Sequence, residues 1–341
     1  MPKKIRLIGH NPNQDLKIEL NSPWIEFTSQ FISSGFQIVE DNFNSVNIDA
    51  LIVNSHSKRA LSEANIFNLP ISKKIMIYWE PFVSYPKIHK KRIRDLYGKV
   101  YTPSKLWSEK LNGEYFYWPQ GAMKKLVESE SEWMKRKNSV VSISGNKFSA
   151  AKGELYSLRR KIGLKLSHEI NGKYDFFGAY WNRGFSYDFR NYIGQLFRTP
   201  INSIDLKSAA YLGRNQKYFL GTPTNKDEIY SQYKFALVIE NSQEYISEKI
   251  FDALRSQCIV IYIGTNLKYE DLKSDLAITV EPNYQSLVET ITRVLEIPDK
   301  EKYKILVNQQ RIAREATTDR DNRLVLKNLG KTIVKYLKNH E

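Results

Sequence analysis

The chain has 341 residues, 41% of them apolar and 26% charged, with a formal net charge of +15 and one cysteine. That length gives room for two domains and a large core, and the lone Cys258 excludes an internal disulfide. No apolar stretch approaches the roughly 18 residues that span a bilayer. Three partners fit the charge: nucleic acid, an anionic membrane surface or a phosphorylated ligand. The cations are spread along the chain, with clusters at Lys87–Arg94, Lys135–Lys137 and Arg159–Lys161. Zinc-finger spacing, an RNP-like signature and a basic zipper are missing from the sequence, which argues against nucleic acid. The start, Met1-Pro2-Lys3-Lys4-Ile5, reads as a short basic patch leading into a strand rather than a secretory leader. A cytoplasmic protein is expected.

Short apolar runs recur at Ile5–Ile8, Ala50–Val53, Ile75–Trp79, Val100–Tyr101, Val140–Ile143, Phe176–Phe177, Phe235–Ile239, Ile259–Ile263 and Ala277–Val280. Several are rich in Val and Ile and do not alternate with polar residues. Strands buried on both faces of a parallel sheet read this way. Longer amphipathic stretches separate them, which predicts βαβ units and an α/β class. Trp118-Pro119-Gln120-Gly121 reads as a strand exit and turn, followed by a charged helix through Lys137 and a new strand at Val140. The domain boundary is therefore expected near 120–138, with an N-terminal α/β domain over 1–125 and a Rossmann-like domain over 138–315. At the end, Leu324, Leu326, Leu329, Ile333, Val334 and Leu337 follow helical spacing. They predict a helix within 316–341 that packs back on the protein. Its basic face leaves peripheral membrane contact open.

The clearest βαβ unit lies between Phe235 and Gly264. Phe235–Ile239 is a strand, Glu240–Glu244 a turn, and Ser247 a plausible N-cap. Glu248 then falls in the first helical turn, where negative charge suits the helix dipole. Ile250, Ala253 and Leu254 continue the helix, and Cys258 touches the next strand, a small hydrophobe in an apolar run. Ligands of such folds collect beyond the carboxyl ends of the strands, where Glu240, Asn241 and Glu80 are expected.

The run Tyr233-Lys234-Phe235, apolar residues, Glu240-Asn241-Ser242, then Tyr245-Ile246-Ser247-Glu248-Lys249 and a strand ending at Gly264 resembles the donor-binding signature of the family 10 α-1,3/4-fucosyltransferases. The resemblance implies a GT-B fold, two Rossmann-like α/β domains facing across a cleft, with the N-terminal domain on the acceptor side. It implies GDP-fucose as donor and an acceptor glycan as partner. A diphosphate needs cations, amide donors and usually a helix N-terminus. Lys249 can supply a point charge there, Glu248 can accept from a hydroxyl, Asn241 can donate and accept, and Tyr245 can pack on a ring. Glu240 joins them as a donor-side carboxylate. Ser144-Gly145-Asn146-Lys147, followed by Arg159-Arg160, resembles the family's strand ending in Ser-Asn-Lys before a helix with a phosphate-binding arginine. Arg159 is the candidate, with Arg160 the alternative register. A planar guanidinium suits bidentate phosphate contact. Tyr174–Trp181 resembles the family's strand and glycine turn, which gives Gly178 a structural role. Gly221 and Lys226 resemble a further family piece and add Lys226 to the donor candidates.

In the N-terminal half, Ile77-Tyr78-Trp79-Glu80-Pro81 resembles the family's strand ending in the catalytic carboxylate. Glu80 is thereby the candidate general base. A sugar hydroxyl is a poor nucleophile until a carboxylate takes its proton. Direct attack would invert the β-linked donor. The five histidines, His10, His56, His89, His168 and His340, have no ligand spacing, and no metal cofactor is expected. Three departures from the family pattern lie near the donor site: Gly145, Val260 where Pro is common, and Thr265-Asn266 after Gly264. Other readings stay open, namely a different nucleotide sugar, a non-catalytic nucleotide-sugar or glycan-binding protein, and binding of nucleic acid. The acceptor is not legible, and a lipopolysaccharide or surface polysaccharide fits a cytoplasmic enzyme, peripheral to the inner membrane face or free.

Overall fold

A computed structural model describes residues 2–8, 23–39, 47–54, 69–86, 91–124, 126–213 and 219–340. Residues 87–90 of the first basic cluster, and His10, His56 and His89, lie outside the described residues. The strands are β1 (Lys3–Ile8), β2 (Phe36–Val39), β3 (Ala50–Asn54), β4 (Lys74–Ile77), β5 (Lys99–Thr102), β6 (Glu114–Tyr115), β7 (Lys137–Ile143), β8 (Tyr174–Phe177), β9 (Tyr233–Ile239), β10 (Ile259–Ile263) and β11 (Ile278–Thr279). The α-helices are α1 (Trp24–Ser33), α2 (Lys91–Arg94), α3 (Lys105–Lys110), α4 (Glu130–Met134), α5 (Tyr156–Glu169), α6 (Phe185–Arg198), α7 (Lys226–Tyr230), α8 (Glu248–Arg255), α9 (Tyr284–Glu296), α10 (Asp299–Thr318) and α11 (Asn322–Lys338). The chain folds as two compact units, Met1–Gly121 with Asp319–Glu341, and Ala122–Thr318.

The first unit is built on the parallel sheet β2-β1-β3-β4-β5-β6. Successive strand residues face opposite sides, and both sides are covered. Ile5, Leu7, Ile52, Ile75 and Ile77 face α1 and α11 through Phe27, Phe31, Leu329 and Ile333. Leu51, Val53, Met76 and Tyr78 face the other way, toward Ile93 and Tyr97. Helix α11 comes from the chain's end, yet it packs on α1 in this unit. The contact is close. A Cβ added at Gly330 would lie 2.8 Å from the Phe27 carbonyl oxygen. Leu324 of the expected apolar set is instead exposed. The two strands that the apolar runs did not announce, β2 and β6, are the edges of this sheet. Edge strands are short and half-exposed, so they lack a continuous apolar run.

The second unit carries the parallel sheet β11-β10-β9-β7-β8. Every residue of β9 and β10 is buried. Phe235, Leu237 and Ile239 join Ile162 and Leu166 of α5 and Leu287 and Ile291 of α9. Ala236 and Val238 join Ile250, Phe251 and Leu254 of α8 and Ile312 and Ala313 of α10. Each large side chain so buried contributes about 1.5–3 kcal/mol. The charged helix expected through Lys137 is corrected here. It is the five-residue α4, β7 already begins at Lys137, and Trp133 turns inward to full burial, donating from Nε1 to the Gln257 carbonyl at 3.0 Å.

The strand order places β7 at a switch point, with β8 on one side and β9 on the other. Crevices open at such points beyond the carboxyl ends of the strands. Gly178 shapes the turn after β8. Its φ is +150°, and a Cβ there would fall 1.8 Å from the Ser144 carbonyl oxygen. Gly153 also has positive φ, at +81°, but nothing lies within 4 Å of its added Cβ. Gly178→Ala is therefore expected to lose about 3 kcal/mol or more of unfolding free energy, and Gly153→Ala about 1 kcal/mol. Urea unfolding of the two variants checks the contrast, and equal losses would contradict it.

Candidate functional site

Strand β9 ends at Ile239, and Glu240 begins the return toward α8. The Glu240 backbone N–H donates to the Ile263 carbonyl at 2.8 Å, so the ladder with β10 runs into the turn. Its carboxylate is fully buried. The Ser247 N–H donates to Oε1 at 2.8 Å, and Ser247 Oγ lies 2.9 and 2.8 Å from the two oxygens. The Lys249 ammonium donates to Oε2 at 3.0 Å and to Ser247 Oγ at 2.9 Å. Ser247 is also the N-cap of α8, accepting from the Lys249 N–H at 3.4 Å. An unpaired buried carboxylate would be prohibitively costly, and these partners satisfy its oxygens. Gly264 completes the closure, since a Cβ there would sit 2.8 Å from Glu240 Cγ and 2.2 Å from the Tyr262 hydroxyl. Both oxygens of Glu240 accept from Ser247 and Lys249, so the carboxylate latches the loop from within. Lys249 is likewise half of an ion pair, not an isolated charge on the helix dipole.

Helix α5 brings an arginine to the same place. The Arg159 Nη2 donates to the Ile239 carbonyl and, at 3.0 Å, to Asn241 Oδ1. Asn241 Nδ2 in turn donates to the Tyr245 hydroxyl at 3.2 Å. The Arg159 Nε is buried with no protein acceptor. Arg160, one residue on, points elsewhere. Its guanidinium lies 3.1 Å over the Phe148 ring and 3.7 Å from the Asp188 carboxylate. Burial pulls the Arg160 pKa down to about 9 against the attraction of Asp188 and Glu154. Burial raises the Asp188 carboxyl despite Arg160. The alternative registers of the sequence thus separate: Arg159 meets the end of β9, and Arg160 anchors α6.

The remaining candidates surround this core. Asn146 is buried, its N–H donates to the Ala179 carbonyl at 2.8 Å and its Nδ2 to the Tyr180 carbonyl at 3.0 Å. Its Oδ1 has no protein donor. Lys147 is exposed, and Lys226 is half-exposed and pairs with Asp252 at 3.2 Å. Burial alone would raise the Glu248 carboxyl. Lys249 and the residue's own backbone N–H, then Lys226 and Lys147, outweigh it and hold Glu248 below the usual carboxylate range. Ser142, Ser144, Arg159, Ile239 and Lys249 line one crevice at the switch point of the sheet. The crevice is narrow, with room for about one water molecule, and both cations and hydroxyls line it. Glu80 belongs to the other unit, at the bend after β4, beside the Trp79 ring that packs on Trp24, Phe116 and Trp118. Among the described residues, no group of three or more His, Cys, Asp or Glu could hold a metal ion.

Two participants were not singled out from the sequence. Glu154 bridges Ser242 and accepts from the Ser157 N–H at 2.9 Å, which ties the start of α5 to the Glu240–Ser247 turn. The Leu155 N–H adds a bond to the Asn241 carbonyl at 2.9 Å. A carboxylate just ahead of a helix was the available signal. The second is Trp181, whose Nε1 donates to the Ser144 carbonyl at 2.6 Å and holds the crevice wall.

No protein-family model matches the chain, and no curated protein sequence matches it. Solved structures do match. An α1,3-fucosyltransferase is similar at 16% identity over 100% of this chain and 91% of its own, with TM-score 0.57. The same description with GDP gives 16%, 100%, 91% and 0.56. A DNA-modifying β-glucosyltransferase, solved with and without uridine diphosphoglucose, is similar at 15% identity over 98% of this chain and 99% of its own, with TM-score 0.52. At these identities the likeness is one of fold, and the fold is the two-unit α/β architecture of GT-B glycosyltransferases.

Proposed function

We propose that this protein is an inverting glycosyltransferase that moves L-fucose from GDP-β-L-fucose to a hydroxyl of an acceptor glycan. The observation that carries this reading is the convergence of Arg159 and Lys249 on one crevice at the switch point, inside the motif that resembles the fucosyltransferase signature. The orphaned Arg159 Nε supports it, because a phosphate oxygen is its natural acceptor. Asn146, Lys147, Asn241, Tyr245, Glu248 and Lys226 are the further donor contacts that the resemblance assigns. Glu80 takes the proton of the acceptor hydroxyl as its oxygen bonds the anomeric carbon. The bond to the β-phosphate breaks on the opposite face, and GDP departs with its charge met by Arg159 and Lys249. Side chains carry this neutralisation, so the reading calls for no metal. A second reading keeps the transfer and changes the donor. The likeness to a glucosyltransferase solved with uridine diphosphoglucose favours it, since the fold admits more than one nucleotide sugar.

Thermal unfolding with GDP, GDP-fucose, GDP-mannose, UDP-galactose and UDP-GlcNAc separates these readings. Stabilisation by GDP and GDP-fucose is expected, about 2.7 kcal/mol at a hundred times Kd. A shift with a uridine nucleotide alone would discard fucose, and no shift with any would sink the donor site. Glu80→Gln is expected to lower kcat by about 10²–10⁴ while leaving GDP affinity unchanged. Loss of GDP affinity along with turnover would contradict a role confined to proton transfer.

Glu248 adds a pH test. Its folded carboxyl lies below the usual range, so the stability it contributes is complete above the ordinary carboxylate pKa and vanishes only as pH falls through the lowered value. Replacing Lys147 and Lys226 together by Ala removes two of the cations responsible. The acid-unfolding midpoint, followed by circular dichroism, should move to higher pH, and an unmoved midpoint would show that these lysines do not act on Glu248.

A further inference from the structure

The segment after β8 carries apolar side chains that its own core does not use. Seven of the thirteen large apolar side chains exposed among the described residues fall between Tyr180 and Leu220, so the exposure is concentrated rather than scattered. Helix α6 buries two of its fourteen residues, Asp188 and Tyr192. Tyr192 enters a small cluster with Phe148 and Ala150. Along the outer side run Phe185, Phe189, Ile193 and Phe197, each four residues from the last, and Ile201 extends the spacing. Phe185 is 58% exposed, Phe189 45%, Phe197 82% and Ile201 90%. A four-residue step advances about 40° around a helix, so the four within α6, with Ile193 half-buried, make one slowly winding stripe, and Ile201 lies just beyond the helix end. The Phe185 and Phe189 rings are stacked 5.7 Å apart.

Charge says what covers this stripe. Arg190 and Arg198 are exposed on the same helix, while Arg183 before it lies over the Tyr180 and Tyr187 rings and Lys207 after it pairs with Asp205 at 3.4 Å. The one acid of α6, Asp188, is buried against Arg160. The outer surface of the helix therefore combines aromatic rings with cations and no carboxylate. An uncharged apolar partner would leave the arginines unmatched, while phosphate-bearing headgroups over acyl chains match both.

We propose that this face of α6, with Ile201, docks on an anionic lipid bilayer. The phenylalanine rings lie in the boundary between headgroups and acyl chains, and Arg190 and Arg198 meet lipid phosphates. The inference stands apart from the donor reading, because it uses none of the residues assigned to GDP-fucose. The test is co-sedimentation of the whole protein with phosphatidylcholine vesicles and with vesicles containing phosphatidylglycerol. Partition is expected onto the anionic vesicles and to weaken with salt. Phe189→Ser with Phe197→Ser should lower it by about tenfold or more, and Arg190→Glu with Arg198→Glu should do the same. Both double variants change surface positions, and an unaltered thermal midpoint confirms folding. No partition onto anionic vesicles would overturn the proposal, as would partition that neither double variant reduces. A concentration-dependent dimer in sedimentation velocity, lost in the phenylalanine variant and without vesicle binding, would assign the face to a second copy instead.

Discussion

The buried carboxylate of Glu240 is the constraint around which the site is organised. A fully buried carboxylate at the end of the central strand must be matched on the spot. Ser247 and Lys249 supply the match, and both come from the start of α8. The turn between β9 and α8 is thereby fixed at both ends. Asn241 and Tyr245 lie between those ends and take their positions from it. Arg159 then reads the fixed turn through the Ile239 carbonyl and the Asn241 side chain. The cations of the crevice are thus placed by an anion that never faces solvent.

The centre of each sheet was legible in the sequence. Strands such as β9 and β10 are buried on both faces, so nearly every residue must be apolar and the run stands out. The edge strands β2 and β6 escaped the same test because one side of each is not covered by a neighbour. The N-cap at Ser247 was also legible, since Ser before Glu-Lys and an apolar periodicity is a local pattern. What a local pattern lacks is partner identity. Glu240 and Glu248 read alike as carboxylates near a helix start. Only the packing shows that one is sealed under Gly264 while the other sits among three lysines. Trp133 illustrates the same gap. Its neighbours are charged, so the segment reads as solvated, yet the ring belongs to the core.

The C-terminal helix shows a related limit of local reading. Its apolar spacing predicts that α11 packs, and the spacing is silent about where. The answer depends on a surface more than two hundred residues earlier in sequence, the Phe27 and Phe31 face of α1. Gly330 lets the two helices approach closely enough for that face to be shared. With α11 in place, the Ile5–Ile77 side of the first sheet is covered by helices drawn from both ends of the chain.

Adjacent residues on a helix point about 100° apart, and α5 uses that angle to serve two neighbours at once. Arg159 faces the end of β9, where its Nη2 reaches Asn241 and its Nε is buried without an acceptor among the described residues. Arg160 faces away, under Phe148, and holds Asp188 of α6. Tyr192 packs α6 against Phe148 and Ala150, and this ion pair is a second buried attachment. A buried pair of this kind contributes little net stability, because both charges must leave water. Asp188 also accepts from the Gly213 N–H at 3.1 Å, so the pair lies between α5, α6 and the segment after it. Two consecutive arginines on one helix thus meet two different elements, the turn after β9 and helix α6.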